Sequence, residues 1–185
     1  MKTIIITGGA RSGKSYFAQQ LAMELGQPVL FVATAEAGDE EMRQRIQEHR
    51  KARPSAWCTL EVTTHVGSRI KQKINSAQVV IVDCIALLVN NIFNQYECPT
   101  GEQIDASRIE VKLTAEINEL VEHIDQIDAI FIIVTNEVGL GLVPANRVGR
   151  LYRDLLGKAN QMLVRQADEV YLMVAGLAVP IKTSL

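Results

Sequence analysis

A chain of 185 residues, 48% hydrophobic and 22% charged, has the size of one ordinary domain and composition enough to bury a core without metals or cross-links, which excludes disorder. Its 19 basic and 21 acidic residues give a formal net charge of −2, which offers no broad positive field to a nucleic-acid backbone. The cysteines Cys58, Cys84 and Cys98 are odd in number and far apart, matching neither a disulfide framework nor paired zinc ligands.

The first element is the apolar run Thr3 to Thr7 (TIIIT), too short for a signal sequence and read as a buried strand. Directly after it comes GGARSGKS, in which Gly8, four residues, and then Gly13, Lys14 and Ser15 complete a phosphate-binding loop between strand and helix. Glycines let successive backbone N–H groups turn toward phosphate oxygens, and the following helix adds partial positive charge at its N-terminus. Lys14 is expected to reach the β- and γ-phosphates, and the Ser15 hydroxyl to ligate Mg2+.

A helix over Lys14 to Leu25 leads to a second strand, Val29 to Thr34 (VLFVAT), and then to a helical pattern over Asp39 to Arg53. On that helix Arg45, His49 and Arg53 fall at i, i+4 and i+8, one stripe, with Arg50 and Lys51 beside it. Cationic neighbours disfavour protonation of an imidazole and leave a nitrogen free to attack phosphorus. The same pattern reads as a solvent-facing helix whose Glu41 and Glu48 pair with its basic residues, and the residues alone favour that plainer reading.

A weaker strand follows over Cys58 to Val62, then Val79 to Asp83 (VVIVD), a helix over Ile85 to Gln95, and a loop from Tyr96 to Gln103 expected to be mobile. Asp83 ends its strand where a carboxylate reaches Mg2+ through water in phosphate-loop proteins; capping the next helix is the alternative. His65, near a helix start, and His123, on a long helix, show no catalytic partner in sequence. The remaining pattern is a helix over Ile104 to Ile127, a strand over Ala129 to Thr135, a helix over Ala145 to Ala167 and a strand over Glu169 to Val174. Ala178 to Lys182 is expected to turn back as an antiparallel edge strand, because Pro180 suits an edge. The alternation predicts one α/β domain over residues 1–185, with a mainly parallel sheet and helices on both faces. No run approaches the roughly 18 apolar residues of a membrane span, and the protein is expected to be cytoplasmic.

The segments TGGARSGKS, FVATAE, DEEMRQRIQEHRKARP, VVIVDCIALLVNN and VTNEVGLGLVPANRVGRLYRD, in this order, resemble the bifunctional adenosylcobinamide kinase/adenosylcobinamide-phosphate guanylyltransferase family across essentially the whole chain. The patterns RIxxHRxxRP and TNEVGxGxVP are far more specific than the phosphate loop. The resemblance implies a RecA-like phosphate-loop fold and a homotrimer. It implies phosphorylation of adenosylcobinamide with ATP or GTP, then transfer of GMP from GTP to the new phosphate, giving adenosylcobinamide-GDP and pyrophosphate in cobalamin synthesis. It places the guanylylated histidine at His49, making His49 and Lys14 the catalytic candidates. The nucleotide site then comprises Gly8, Gly9, Ala10, Arg11, Ser12, Gly13, Lys14 and Ser15. To these it adds Thr34, Ala35 and Glu36, then Arg50, Lys51, Ala52 and Arg53, with Glu61 and Asp83. Asp83 stands where members can carry Glu, shorter by one methylene, so its metal-related role is better founded than a direct nucleotide contact. Asn136 and Glu137 lie in the family's loop without an assigned step. The competing readings are another small-molecule phosphate-loop kinase without GMP transfer, and a RecA-like nucleotide switch or DNA-binding ATPase.

Overall fold

The computed structural model describes residues 2–36, 38, 40–51, 53–96 and 105–183, without the side chains of residues 41, 42, 45 and 49. The β-branched runs form strands because their side chains pack against layers on both faces. These are β1 (Lys2–Gly8), β2 (Val29–Ala33), β3 (Cys58–Glu61), β4 (Val79–Asp83), β5 (Ile130–Val134), β6 (Glu169–Val174) and β7 (Leu177–Lys182). They make a seven-stranded sheet in the order β3-β2-β4-β5-β1-β6-β7. Neighbours are parallel except β6 and β7, which are antiparallel as expected for the edge.

Register carries one row of core side chains across the sheet: Phe31 beside Ile81, Ile81 beside Ile132, and Ile132 beside Ile4. None of the four is more than 3% exposed. The same register levels Ala33, Asp83, Val134 and Ile6, so the carboxyl ends of β2, β4, β5 and β1 open onto one edge. That edge is where an open α/β sheet binds its ligands.

The helices are α1 (Lys14–Leu25), α2 (Glu40–Lys51), α3 (Val66–Lys73), α4 (Ile85–Asn94), α5 (Ala106–Ile124) and α6 (Arg147–Gln166). Helix α1 packs on β1, β4 and β5, while α3, α4, α5 and α6 form a connected layer. Their ends follow local chemistry. Asp105 accepts a bond from Arg108 N at 3.0 Å and Asn146 one from Gly149 N at 2.6 Å, side-chain caps that start α5 and α6 later than the apolar periodicity suggests. Ile104, Cys98 and most of the Tyr96 to Gln103 loop lie outside the described residues. Cys84 is buried and Cys58 exposed, both as free thiols.

Helix α3 is an eight-residue element that starts next to His65, as expected, but whose extent the periodicity did not show, because it buries only Val66, Gly67 and Ile70 and carries no local side-chain cap. Its cap comes from α5 instead. The buried Glu116 carboxylate accepts from His65 N and Val66 N, both at 2.9 Å, and Glu119 accepts from Ser68 N at 3.1 Å. His65 Nδ1 also lies 3.1 Å from Glu119, a partner brought from 54 residues away. At Gly67 an added Cβ would stand 2.8 Å from Glu119 O and 3.0 Å from Leu120 Cα, and neither backbone atom can swing aside. Gly67→Ala is therefore expected to cost about 2 kcal/mol, the usual scale of core overpacking, read as a lower urea midpoint with an unchanged slope.

Candidate active site

The phosphate loop joins β1 to α1, and its shape explains its glycines. Gly8 has φ +148° and a Cβ there would stand 2.5 Å from Met173 O; Gly13 has φ +96° and a Cβ would lie 3.3 Å from Gly176 Cα. The loop is thus wedged against β6 and the turn into β7, and Gly176 N donates to Ser12 O at 3.0 Å. This bracing comes from the far end of the chain. Lys14 is only 7% exposed; its ammonium folds back into the loop, donating to Gly9 O at 2.6 Å. Burial pushes its pKa below the usual lysine range, while Cys84 and Asp83 act in the opposite direction.

Next to the loop, the ends of β2 and β4 are latched together. The Thr34 hydroxyl, fully buried, accepts from Cys84 N at 2.9 Å and donates to Cys84 O at 2.7 Å. Asn91 on α4 donates to Thr34 O at 2.8 Å and Thr63 O at 3.1 Å. The latch holds Asp83 at the binding edge and leads the chain into Ala35, half-buried, and Glu36, exposed. Burial, with the Asp83 charge adding to it, lifts the Cys84 thiol to about 12, so it stays protonated at neutral pH. Asn91 carried no signal in sequence beyond being one of three asparagines on an apolar helix.

The helix with the histidine differs from the expected stripe. Residue 49 lies on α2, its side chain outside the described atoms, as is that of residue 45. Arg53 lies beyond the last residue of α2, Lys51, and does not continue the row. The cause is Pro54, whose ring disfavours helical backbone at the preceding residue. The Arg53 guanidinium sits 3.7 Å from the centroid of the Phe31 ring, with Trp57 stacked at 6.5 Å on the same ring. Its Nε and Nη1 are buried and make no hydrogen bond. Burial lowers its pKa, and Asp83 opposes that shift. Arg50 pairs with Glu61 at the end of β3, and Lys51 is exposed; Ala52 lies outside the described residues. Arg50, Arg53, Trp57, Thr59 and Glu61 line a cavity of about 510 Å³.

The structure therefore gathers the phosphate loop, Asp83 and the segment from Thr34 to Glu36 on one edge, with Arg50, Arg53 and Glu61 around an adjoining cavity. The model of the family described as cobinamide kinase / cobinamide phosphate guanyltransferase matches residues 4–181. The chain belongs to this family. The bifunctional adenosylcobalamin biosynthesis protein CobU of Escherichia coli is 40% identical over 97% of this chain and 99% of its own length. The protein of the same name from Salmonella typhimurium is 39% identical over the same shares, and CobP of Pseudomonas aeruginosa is 36% identical over 96% of each chain. Among solved structures, the RadB recombinase superposes with a TM-score of 0.51 over 92% of this chain and 73% of its own, at 15% identity. That likeness shows a RecA-like fold and nothing of function. The expected fold and family are both borne out.

Proposed function

We propose that this protein phosphorylates adenosylcobinamide with ATP or GTP and then transfers GMP from GTP to the adenosylcobinamide phosphate, through a guanylyl-histidine at His49. The observation that carries the reading is membership of the cobinamide kinase / cobinamide phosphate guanyltransferase family from residue 4 to residue 181, on a chain whose phosphate loop is fully built.

The loop from Gly8 to Ser15 holds the polyphosphate, with backbone amides supplying directed donors and Lys14 a buried cation. The Ser15 hydroxyl and the Asp83 carboxylate are hard oxygen donors of the kind Mg2+ takes alongside phosphate and water. The neighbourhood of Asp83 to Lys14 and Arg53, felt in the pKa of both, fits a site built around charge balance. When bound, Mg2+ supplies neutralisation of the phosphate oxygens.

In the transfer step the neutral His49 imidazole attacks the α-phosphorus of GTP. An N–P bond forms, the bond between the α-phosphorus and the α,β-bridging oxygen breaks, and pyrophosphate leaves with that oxygen. A phosphate oxygen of the acceptor then attacks the same phosphorus, and the imidazole departs unchanged. Arg50 and Arg53, following residue 49 in the chain, supply positive charge, and the two Arg53 nitrogens without partners are donors suited to an anion. Thr34, Ala35, Glu36, Lys51, Ala52 and Glu61 complete the nucleotide site in this reading.

The resemblance also implies a homotrimer. The outer strand supports self-association, since Leu177 is 71% exposed and Ile181 60% on the sheet edge, apolar surface that a monomer rarely leaves in water. No described helix is long and apolar enough to cross a membrane, in keeping with a cytoplasmic enzyme. The decisive test is intact-protein mass after mixing with GTP and Mg2+ in the absence of corrinoid: a gain of one GMP is expected, and an unchanged mass would end the covalent mechanism.

A further inference from the structure

The two reactions need different proton chemistry. GMP transfer through a histidine moves no proton off its nucleophile, whereas the kinase reaction must take one from an acceptor hydroxyl. On the binding edge Lys14 is committed as a cation and Glu36 is exposed on the segment that leaves β2, while His49 serves the other reaction in the reading above. Asp83 stands against Lys14 and Arg53. A further carboxylate lies on the same edge.

Glu137 follows β5, the strand between β4 and β1 in the sheet, and its backbone N donates to Gly8 O at 3.0 Å. The loop that carries it is thereby joined to the first glycine of the phosphate loop. Helix α6 fixes the approach: Asn160 accepts from the Thr135 hydroxyl at 2.6 Å and donates to Asn136 O at 3.0 Å. The carboxylate is held by its own turn, Oε1 accepting from Gly139 N at 2.5 Å. A Cβ at residue 139 would stand 2.8 Å from that oxygen, so glycine there leaves the turn its shape. Among the described residues no cation pairs with Glu137.

A carboxylate without a counter-ion beside a polyphosphate site is repelled by the ligand, which makes it a poor structural choice and a fitting proton acceptor. Just beyond it the same loop exposes Leu140 by 83% and Leu142 by 97%, an apolar rim where a large, partly apolar acceptor can rest. We propose that Glu137 is the general base of the kinase reaction, taking the proton from the acceptor hydroxyl as that oxygen bonds to the γ-phosphorus. The bond between the γ-phosphorus and the bridging oxygen breaks toward the nucleoside diphosphate, and the proton passes from Glu137 to solvent.

This inference rests on the kinase activity of the family, and the test separates the two. Glu137→Gln keeps an oxygen for Gly139 N and the backbone bond to Gly8 while removing the charge. With ATP and adenosylcobinamide its kcat is expected to fall about 100- to 1000-fold, the range of a lost general base, with KM for ATP within about threefold. Self-labelling by GTP without corrinoid should persist at the unsubstituted rate, which also shows the variant is folded. Glu137→Asp should recover part of the kinase rate. A kinase rate within about threefold of the unsubstituted protein overturns the role, as does a parallel fall of both reactions, which would make Glu137 part of the shared nucleotide site. Absence of cobinamide phosphorylation by the unsubstituted protein would remove the kinase reaction itself, and the role with it.

Discussion

Replacing His49 by asparagine is expected to abolish acid-labile labelling of the protein by α-labelled GTP and to lower GMP transfer by at least about a thousandfold, while phosphorylation of adenosylcobinamide stays within a few-fold. Asparagine keeps polarity and similar bulk, but its amide nitrogen has no lone pair to offer phosphorus. Stability should change little. Residue 49 lies on a helix between the exposed Glu48 and Arg50, and asparagine and histidine have similar helix propensities. The kinase reaction asks for alignment and charge stabilisation rather than a covalent enzyme intermediate, so it should not need the imidazole. Labelling of the variant at the unsubstituted rate would place the nucleophile elsewhere, and loss of both reactions together would turn the histidine into part of the shared phosphate site.

Lys14→Ala is expected to reduce both reactions together, by about 100- to 1000-fold each, the usual consequence of removing one directed charge from a site where negative charge develops. The ammonium is buried within the loop and bonded to Gly9 O, so it is positioned before any nucleotide arrives and little reorganisation is needed at the moment of reaction. A thermal midpoint close to that of the unsubstituted protein would show that the loss is functional. Each rate should be measured with its own acceptor, adenosylcobinamide for the kinase and adenosylcobinamide phosphate for the transferase. Survival of either at its original rate would show that the two reactions use different phosphate cradles. Set against Glu137→Gln and His49→Asn, which separate the two activities in opposite directions, this variant would define their overlap.

The primary structure alone determined the strands, the phosphate loop and the family, because each is written in neighbouring residues. A β-branched run such as VVIVD has one comfortable place in an α/β domain, buried between two layers. A glycine-lined turn ending in Lys14 and Ser15 has one chemistry. Long motifs around residues 49 and 137 carry the family signature in order. What only the tertiary structure decided are the contacts that close over long separations. Gly176 braces Ser12, Thr34 binds Cys84, Asn91 ties Thr34 to Thr63, and Glu116 caps a helix 50 residues before it. The Arg53 side chain leaves the helical stripe for the Phe31 ring because Pro54 ends the helix, a competition between local periodicity and a backbone restriction that periodicity cannot see. Glu137 meets the phosphate loop through a backbone bond spanning the chain from residue 8 to residue 137. Local patterns encode propensity and motif, whereas which groups share an edge follows from strand order, and strand order is settled by packing.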